Sequence, residues 1–251
     1  MKKKVVGMIP ARYGSTRLPG KALEPIAGKP MIQRVYEQCI KAESLDLLCV
    51  ATDDERIKEV VDGIGGTAIM TSPDHPSGTD RLAEAVASIE ADIVVNIQGD
   101  QPFFDPQMID EAVPPLLEDE TLVMSTLMYP IEREEDLQDP SVVKVVCDRG
   151  GFALYFSRSL MPYPRNDVPH KVYEHIGLYV YTRDFLLTLA KLPPTTLEQV
   201  ESLEQLRVLE HGYPIRVVET EVQDNAFSGF SVDTPEDLER AEAMLKERGL
   251  E

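Results

Sequence analysis

Through the first half of the chain, short apolar blocks alternate with stretches whose apolar residues recur every three to four positions. Val5 to Ile9, Leu47 to Ala51, Ala68 to Met70 and Ile93 to Ile97 have the length and composition of buried strands. Between them, Met31 to Ala42 carries Met31, Ile32, Val35, Cys39 and Ile40 on one stripe, and Asp54 to Ile64 carries Ile57, Val60, Val61 and Ile64 on one face. Gly78 to Ile89 reads as a third helix. Strands alternating with helices predict an α/β fold with right-handed crossovers and a mostly parallel sheet. Ligands bind beyond the carboxyl ends of such strands, so residues just after Ile9, Ala51 and Ile97 are the first places to look for chemistry.

The second half changes character. Val142 to Cys147 and Phe152 to Phe156 flank Asp148-Arg149-Gly150-Gly151, which predicts a hairpin. Ile176 to Tyr181 and Ile215 to Val218 read as strands, and Leu197 to His211 as a helix closed by Gly212. Pro235 to Glu247 reads as a final helix, with Thr234 as its cap, Pro235 in its first position and Glu236 and Asp237 in its first turn. There is no repeat, low-complexity tract or long linker. The pattern predicts one domain over 1–251, with a smaller antiparallel lobe inserted at about 125–220.

Composition narrows the class. Of 251 residues, 43% are hydrophobic and 27% charged, enough for a sizeable core and against whole-chain disorder. With 25 Lys and Arg against 44 Asp and Glu, the formal charge is −19, which argues against a nucleic-acid binder. A site for an anionic substrate must then be a local cationic island, helped by a metal. Cys39, Cys49 and Cys147 lie far apart with no CxxC pair, so neither zinc nor a disulfide framework is supported, and Cys39 and Cys49 read as small core residues. The apolar run near the start breaks at Pro10, too short for a signal peptide or a membrane span, which predicts a soluble cytoplasmic protein with no membrane insertion.

The loop after the first strand, Pro10-Ala11-Arg12-Tyr13-Gly14-Ser15-Thr16-Arg17-Leu18-Pro19-Gly20-Lys21, packs three cations, two hydroxyls and two glycines together. Such a loop cradles phosphates through close backbone N–H groups and positive charge. It is not a Walker A loop: five residues separate Gly14 from Gly20, and Ala22 follows Lys21 where a hydroxyl is required. Gly63-Ile64-Gly65-Gly66-Thr67-Ala68 matches a dinucleotide fingerprint in letters only. It follows a helix and precedes a strand, and reads as a helix end and turn. Asp100, after Gly99 at the end of the fourth strand, suits Mg²⁺, which takes one or two carboxylates plus substrate oxygens. Asp233, just before the last helix, offers a second carboxylate, or only a helix start. Ser77-Gly78-Thr79-Asp80-Arg81 is either an anion- or base-contacting helix N-terminus or a plain cap. Glu201, Glu204, Gln205 and Val208 share a face of the helix expected at Leu197 to His211, with Leu203 and Leu206 opposite. A face of this kind is ordinarily solvated, and His175 by itself reads as a structural histidine.

Taken in order, these segments resemble one family. Pro10 to Lys21, Asn96 to Asp100, Ala153-Leu154-Tyr155-Phe156-Ser157-Arg158, His175-Ile176-Gly177-Leu178-Tyr179, Leu203-Glu204-Gln205-Leu206-Arg207 and Val232-Asp233-Thr234-Pro235-Glu236-Asp237 are similar to the 3-deoxy-manno-octulosonate cytidylyltransferases, the CMP-Kdo synthetases. The similarity runs from about Val5 to Leu245, and no motif position departs from it. It implies a Rossmann-like nucleotidyltransferase fold, a homodimer, and a Mg²⁺-dependent transfer of CMP from CTP to Kdo that releases pyrophosphate, in lipopolysaccharide biosynthesis. On this resemblance Arg12, Ser15, Arg17 and Lys21 hold the triphosphate, and Ala11, Ser77, Gly78 and Arg81 surround the nucleoside. Gln98, Arg158, His175, Tyr179, Glu204 and Gln205 face the sugar acid, in a lobe that also serves dimerisation, and Asp100 and Asp233 bind the metal. Arg12, Lys21, Asp100 and Asp233 then carry catalysis.

Three other readings are open to the sequence. One is a related sugar acid as acceptor, an 8-amino analogue of Kdo or a sialic acid, a choice set around Tyr173-Glu174-His175. Another is a non-catalytic nucleotide-binding regulator, disfavoured because Asp100 and Lys21 are both present. The third is a nicotinamide oxidoreductase, disfavoured because no glycine fingerprint follows the first strand. The hairpin at Val142 to Phe156 is the expected dimer contact, an idea that a purely monomeric sedimentation profile would exclude.

Overall fold

The structure, a computed structural model, describes residues 2–15, 17–222, 227 and 229–250. Thr16 of the first loop lies outside the described residues. In chain order the elements are β1 (Val5–Ala11), β2 (Pro25–Ile26), β3 (Lys29–Pro30), α1 (Met31–Cys39), β4 (Leu47–Thr52), α2 (Glu55–Gly63), β5 (Thr67–Met70), α3 (Gly78–Ala87) and β6 (Ile93–Asn96). Then come α4 (Gln107–Ala112), α5 (Pro114–Glu118), β7 (Met124–Pro130), β8 (Lys144–Cys147), β9 (Ala153–Ser157) and β10 (Tyr173–Thr182). The chain ends with α6 (Arg183–Leu189), α7 (Thr196–Glu201), α8 (Gln205–Glu210), β11 (Arg216–Glu219) and α9 (Pro235–Glu247). It divides into two compact units, one of 1–110 with 222–251 and the other of 111–221.

The first unit holds a parallel sheet in the order β6-β1-β4-β5. β1, β4 and β6 are buried on both faces, which is why they read as continuous apolar runs without alternation, while the edge strand β5 is largely accessible. Met8, Ile9, Val50 and Val94 are all 0% exposed, each worth roughly 1.5–3 kcal/mol of burial. The helices begin where the sequence places their caps: the Asp54 side chain accepts from the Arg56 N–H, and Thr234 and Asp237 form a capping box at the start of α9. Gly65, at φ +76°, turns the chain between α2 and β5, so the glycine-rich match there is a helix end and not a cofactor loop.

The second unit is mostly antiparallel. β10 pairs with β7 and β8, β8 pairs with β9 in the expected hairpin, and β11 runs parallel to β7. A register shift between Ile176 and Tyr179 marks a bulge in β10. The single helix expected over Leu197 to His211 is two helices. Ser202 adopts left-handed φ 52°, ending α7, and α8 starts at Gln205. The break buries Leu203, and Glu201 receives the Ser157 hydroxyl and the Arg158 N–H. The shared solvated face of Glu201, Glu204, Gln205 and Val208 therefore does not form; Gln205 is 3% exposed and Val208 0%.

Candidate active site

In the first unit the chain moves outward from β1 through β4 and β5, then returns to the other side of β1 as β6. The order reverses between β1 and β6, and a crevice opens beyond their carboxyl ends. A cavity of about 300 Å³ lies there. Ala11, Arg12, Ser15, Arg17 and Lys21 line it from the loop after β1, and Ser77, Gly78 and Arg81 from the start of α3. Gln98 and Asp100 line it from the segment after β6, and Asp233 from the segment before α9. All eleven positions expected in this unit thus share one cavity.

The strand ends meet closely because Gly99 lacks a side chain. A Cβ there would lie 2.8 Å from the Pro10 carbonyl oxygen. Tyr13 anchors the loop. Its carbonyl accepts from Ser15 and Gly20, its N–H donates to Asp53 Oδ1 at 3.2 Å, and the Arg56 guanidinium lies 3.6 Å from its ring centroid. Asp53 is the hub. Its Oδ2 receives Arg81 Nη2 at 3.0 Å, and Arg81 Nη1 donates to Thr71 Oγ1 at 2.6 Å. Arg81 is 2% exposed and committed to this network, so its guanidinium is fixed in place at the cavity wall. Ser77 caps α3 by accepting from the Asp80 N–H at 3.1 Å and donating to the Asp80 carboxylate at 2.6 Å.

His75 and Pro76 line the cavity but were not singled out in the sequence, and Asp53 stands behind it. Asp53 follows the second strand, where the carboxyl-end rule already points. His75 bonds Glu84 and carries no signal in sequence beyond its place just before Ser77.

Asp100 and Asp233, far apart in sequence, converge. The Asp100 carbonyl accepts from Val232 N–H at 2.9 Å, which brings the two segments together. Lys21 Nζ then donates to Asp100 Oδ2 at 2.8 Å and to Asp233 Oδ1 at 3.0 Å, and Arg17 Nη2 reaches the same Asp233 oxygen at 2.9 Å. Burial pulls the Lys21 pKa down, but the two carboxylates outweigh it and hold the ammonium above its ordinary value. Among the described residues no cluster of three or more His, Cys, Asp or Glu side chains forms a closed metal cage. Two converging carboxylates facing a cation-lined cavity fit Mg²⁺, which takes few protein ligands and completes its shell from substrate phosphates and water.

In the second unit a chain of donors joins four of its side chains. Tyr179 O–H donates to Gln205 Oε1 at 3.2 Å, and Gln205 Nε2 lies 3.5 Å from His175 Nδ1. The Thr126 hydroxyl has one hydrogen and gives it to the Leu178 carbonyl at 2.7 Å, so at 2.9 Å it accepts from His175 Nε2–H. The Phe156 ring packs edge-on against the imidazole at 4.8 Å between centroids. Burial lowers the His175 pKa to about 3, leaving it neutral, and pushes the Tyr179 hydroxyl upward, with Glu204 adding to the shift. Arg158 is held at the end of β9: Nε donates to the Glu201 carbonyl at 2.7 Å and Nη1 to the Pro140 carbonyl at 2.8 Å. Glu204 sits at the start of α8.

A neutral buried histidine has a consequence for pH. The unfolded chain takes up a proton near pH 6.5 and the folded one does not. Stability therefore falls as the pH drops from about 6.5 toward 3, by up to about 1.4 kcal/mol per pH unit from this residue. Urea midpoints at pH 5 and pH 7 should lie closer together in His175→Gln than in the parent. An unchanged gap would show that burial does not hold this imidazole neutral.

Comparison with known proteins bears on these geometries. The family model for cytidylyltransferases matches residues 6–222. A 3-deoxy-manno-octulosonate cytidylyltransferase from Syntrophotalea carbinolica is 53% identical over 96% of this chain and 98% of its own length. Another from Geotalea daltonii is 52% identical over 98% and 100%. A CMP:2-keto-3-deoxy-manno-octonic acid synthetase solved in complex with CTP superposes with a TM-score of 0.91 at 45% identity, covering 98% of this chain and 99% of that one. A cytidylyltransferase from Leptospira borgpetersenii, at 19% identity and TM-score 0.64, shares the fold. The chain belongs to the 3-deoxy-manno-octulosonate cytidylyltransferase family of nucleotidyltransferases.

Proposed function

We propose that this chain transfers CMP from CTP to the anomeric hydroxyl of 3-deoxy-D-manno-octulosonate, giving CMP-Kdo and pyrophosphate. The observation that carries this reading is the meeting of Asp100 and Asp233 on Lys21, inside a cavity that Arg12 and Arg17 also line. In a chain of net charge −19, that cavity is the cationic island an anionic substrate needs. The relatives' activity supports the choice of substrates.

Charge neutralisation and positioning are the main tasks when two anions react. Arg12, Ser15, Arg17 and Lys21 take the triphosphate, and Arg12 and Lys21 stabilise charge building on the departing pyrophosphate. Ala11, Ser77 and Gly78 border the nucleoside, with Arg81 fixed behind them. Asp100 and Asp233 would hold Mg²⁺, whose chemistry when bound is to offset phosphate charge and lower the pKa of a coordinated hydroxyl. The reaction needs no Ser–His or Cys–His pair, so in this reading the hydroxyl of the sugar displaces pyrophosphate directly, without a covalent enzyme intermediate.

Gln98, Arg158, His175, Tyr179, Glu204 and Gln205 are the residues that the family resemblance implies for sugar-acid recognition. His175 is neutral, so among these Arg158 is the cation for the sugar carboxylate. A homodimer is part of this reading, supported by apolar side chains left exposed in the second unit, Leu154 at 63% and Val200 at 77%. So is a cytoplasmic location, where CTP is supplied; among the described residues no helix is long and apolar enough to cross a membrane. The test is pyrophosphate release with CTP, Mg²⁺ and a panel of sugar acids. Kdo should give the highest kcat/KM, and a sialic acid or 8-amino-Kdo turning over faster would reassign the acceptor.

A further inference from the structure

Lys21 stands where a cation between Asp100 and Asp233 would stand. Its ammonium donates to one oxygen of each, at 2.8 and 3.0 Å, and its side chain is 16% exposed against 28% and 29% for the two acids. Without it, Asp100 would lose its ion pair and Asp233 would keep only Arg17, at 2.9 Å, so the two acids would repel each other more strongly. A divalent ion using the same oxygens would sit roughly 2.1 Å from each. An ammonium placed between the same two oxygens repels a divalent ion there, and Arg17, which also reaches the Asp233 oxygen at 2.9 Å, stays at the rim of that place.

The lysine is also free to leave. Its charge sits on a flexible four-carbon stem that can be re-aimed without moving the backbone. Beside it the cavity holds Arg12, which is exposed and has no hydrogen-bond or ion-pair partner among the described residues, so the region is ready for phosphate oxygens. Moving the ammonium from carboxylates to phosphates leaves each anion with a cation, provided a divalent ion takes the vacated place.

We propose that Lys21 is the resident counter-ion of the divalent-ion site, blocking it in the nucleotide-free protein and unblocking it when a nucleoside triphosphate draws the ammonium away. This rests on the assignment of Asp100 and Asp233 as metal ligands. The protein alone then binds divalent cations weakly, and nucleotide and cation strengthen each other's binding by the same factor. Metal loading follows or accompanies the nucleotide and does not precede it.

The experiment is a Mn²⁺ titration of the full chain without sugar acid, read by the electron paramagnetic resonance of free Mn²⁺. The proteins are the parent, Lys21→Met and Lys21→Gln, the last keeping a hydrogen-bond donor in case the first does not fold. Without nucleotide, both variants should bind Mn²⁺ roughly tenfold or more tightly than the parent, since removing one adjacent positive charge is worth at least that much. Asp100→Asn added to Lys21→Met should abolish the gain. With CTP present, the parent should hold Mn²⁺ beyond what CTP binds by itself. If the parent does so but the nucleotide-free Lys21 variants bind no more tightly than the parent, the counter-ion role is overturned and the metal assignment stands. If neither the parent with CTP nor the variants hold Mn²⁺, both are overturned.

Discussion

Asp100→Asn should lower kcat by roughly 10²–10³ or more at saturating Mg²⁺ and CTP, with little change in folding stability. The substitution keeps the shape of the side chain and removes its charge. The contacts that shape the segment survive, because Val232 N–H is received by the Asp100 backbone carbonyl and not by its carboxylate. The lost ion pair with Lys21 is partly exposed, with Asp100 at 28%, a setting in which such pairs contribute about 0–1 kcal/mol. What disappears is half of the anionic pair that would hold the metal, and a neutral amide is a poor ligand for a hard divalent ion. Near-normal turnover with an unaltered urea midpoint would remove Asp100 from the chemistry and undo the metal assignment.

The largest stability effect is expected at a residue that the substrates need never touch. Asp53→Ala leaves the Arg81 guanidinium, whose side chain is 3% exposed, without its carboxylate, and takes the acceptor from Tyr13 N–H. Removing one partner of a buried ion pair costs about 3–5 kcal/mol, a large part of the total stability of a domain. Because the same carboxylate fixes the phosphate loop, KM for CTP should rise as well. Asp53→Asn paired with Arg81→Met should cost less than Asp53→Ala alone, since no buried charge is then left uncompensated. A loss below 1 kcal/mol for Asp53→Ala in urea denaturation would show that water reaches Arg81 and that the network is not structural.

What could be read from the sequence follows from which interactions are local. Helix α9 is found at its full extent because Thr234, Pro235 and Asp237 build its start from neighbouring residues. The central parallel strands β1, β4 and β6 are found because burial on both faces makes them apolar throughout. β7 was missed because its buried Ser125 and Thr126, each 0% exposed, interrupt the apolar run. Their hydroxyls are satisfied by Ala112 and Leu178 carbonyls that no local pattern reveals. The broken helix at Ser202 was missed for a related reason, since Glu201 answers to Ser157 and Arg158 on a distant strand. At the site, the loop from Pro10 to Lys21 and Asp100 follow from the carboxyl-end rule alone. The approach of Asp233 to Asp100 does not, and came only from resemblance. The role of Asp53 depends on which strands are neighbours, and no spacing in the chain encodes that.

Position 99 works as a gauge block between two strand ends. Any side chain there would press on the Pro10 carbonyl at 2.8 Å and wedge the start of the phosphate loop away from the segment carrying the next residue, Asp100. The distance between the cationic and the acidic walls of the cavity is thus set by the absence of one methyl group. A redesign that widens this enzyme for bulkier donors has to begin elsewhere, because even alanine at 99 disturbs both walls at once.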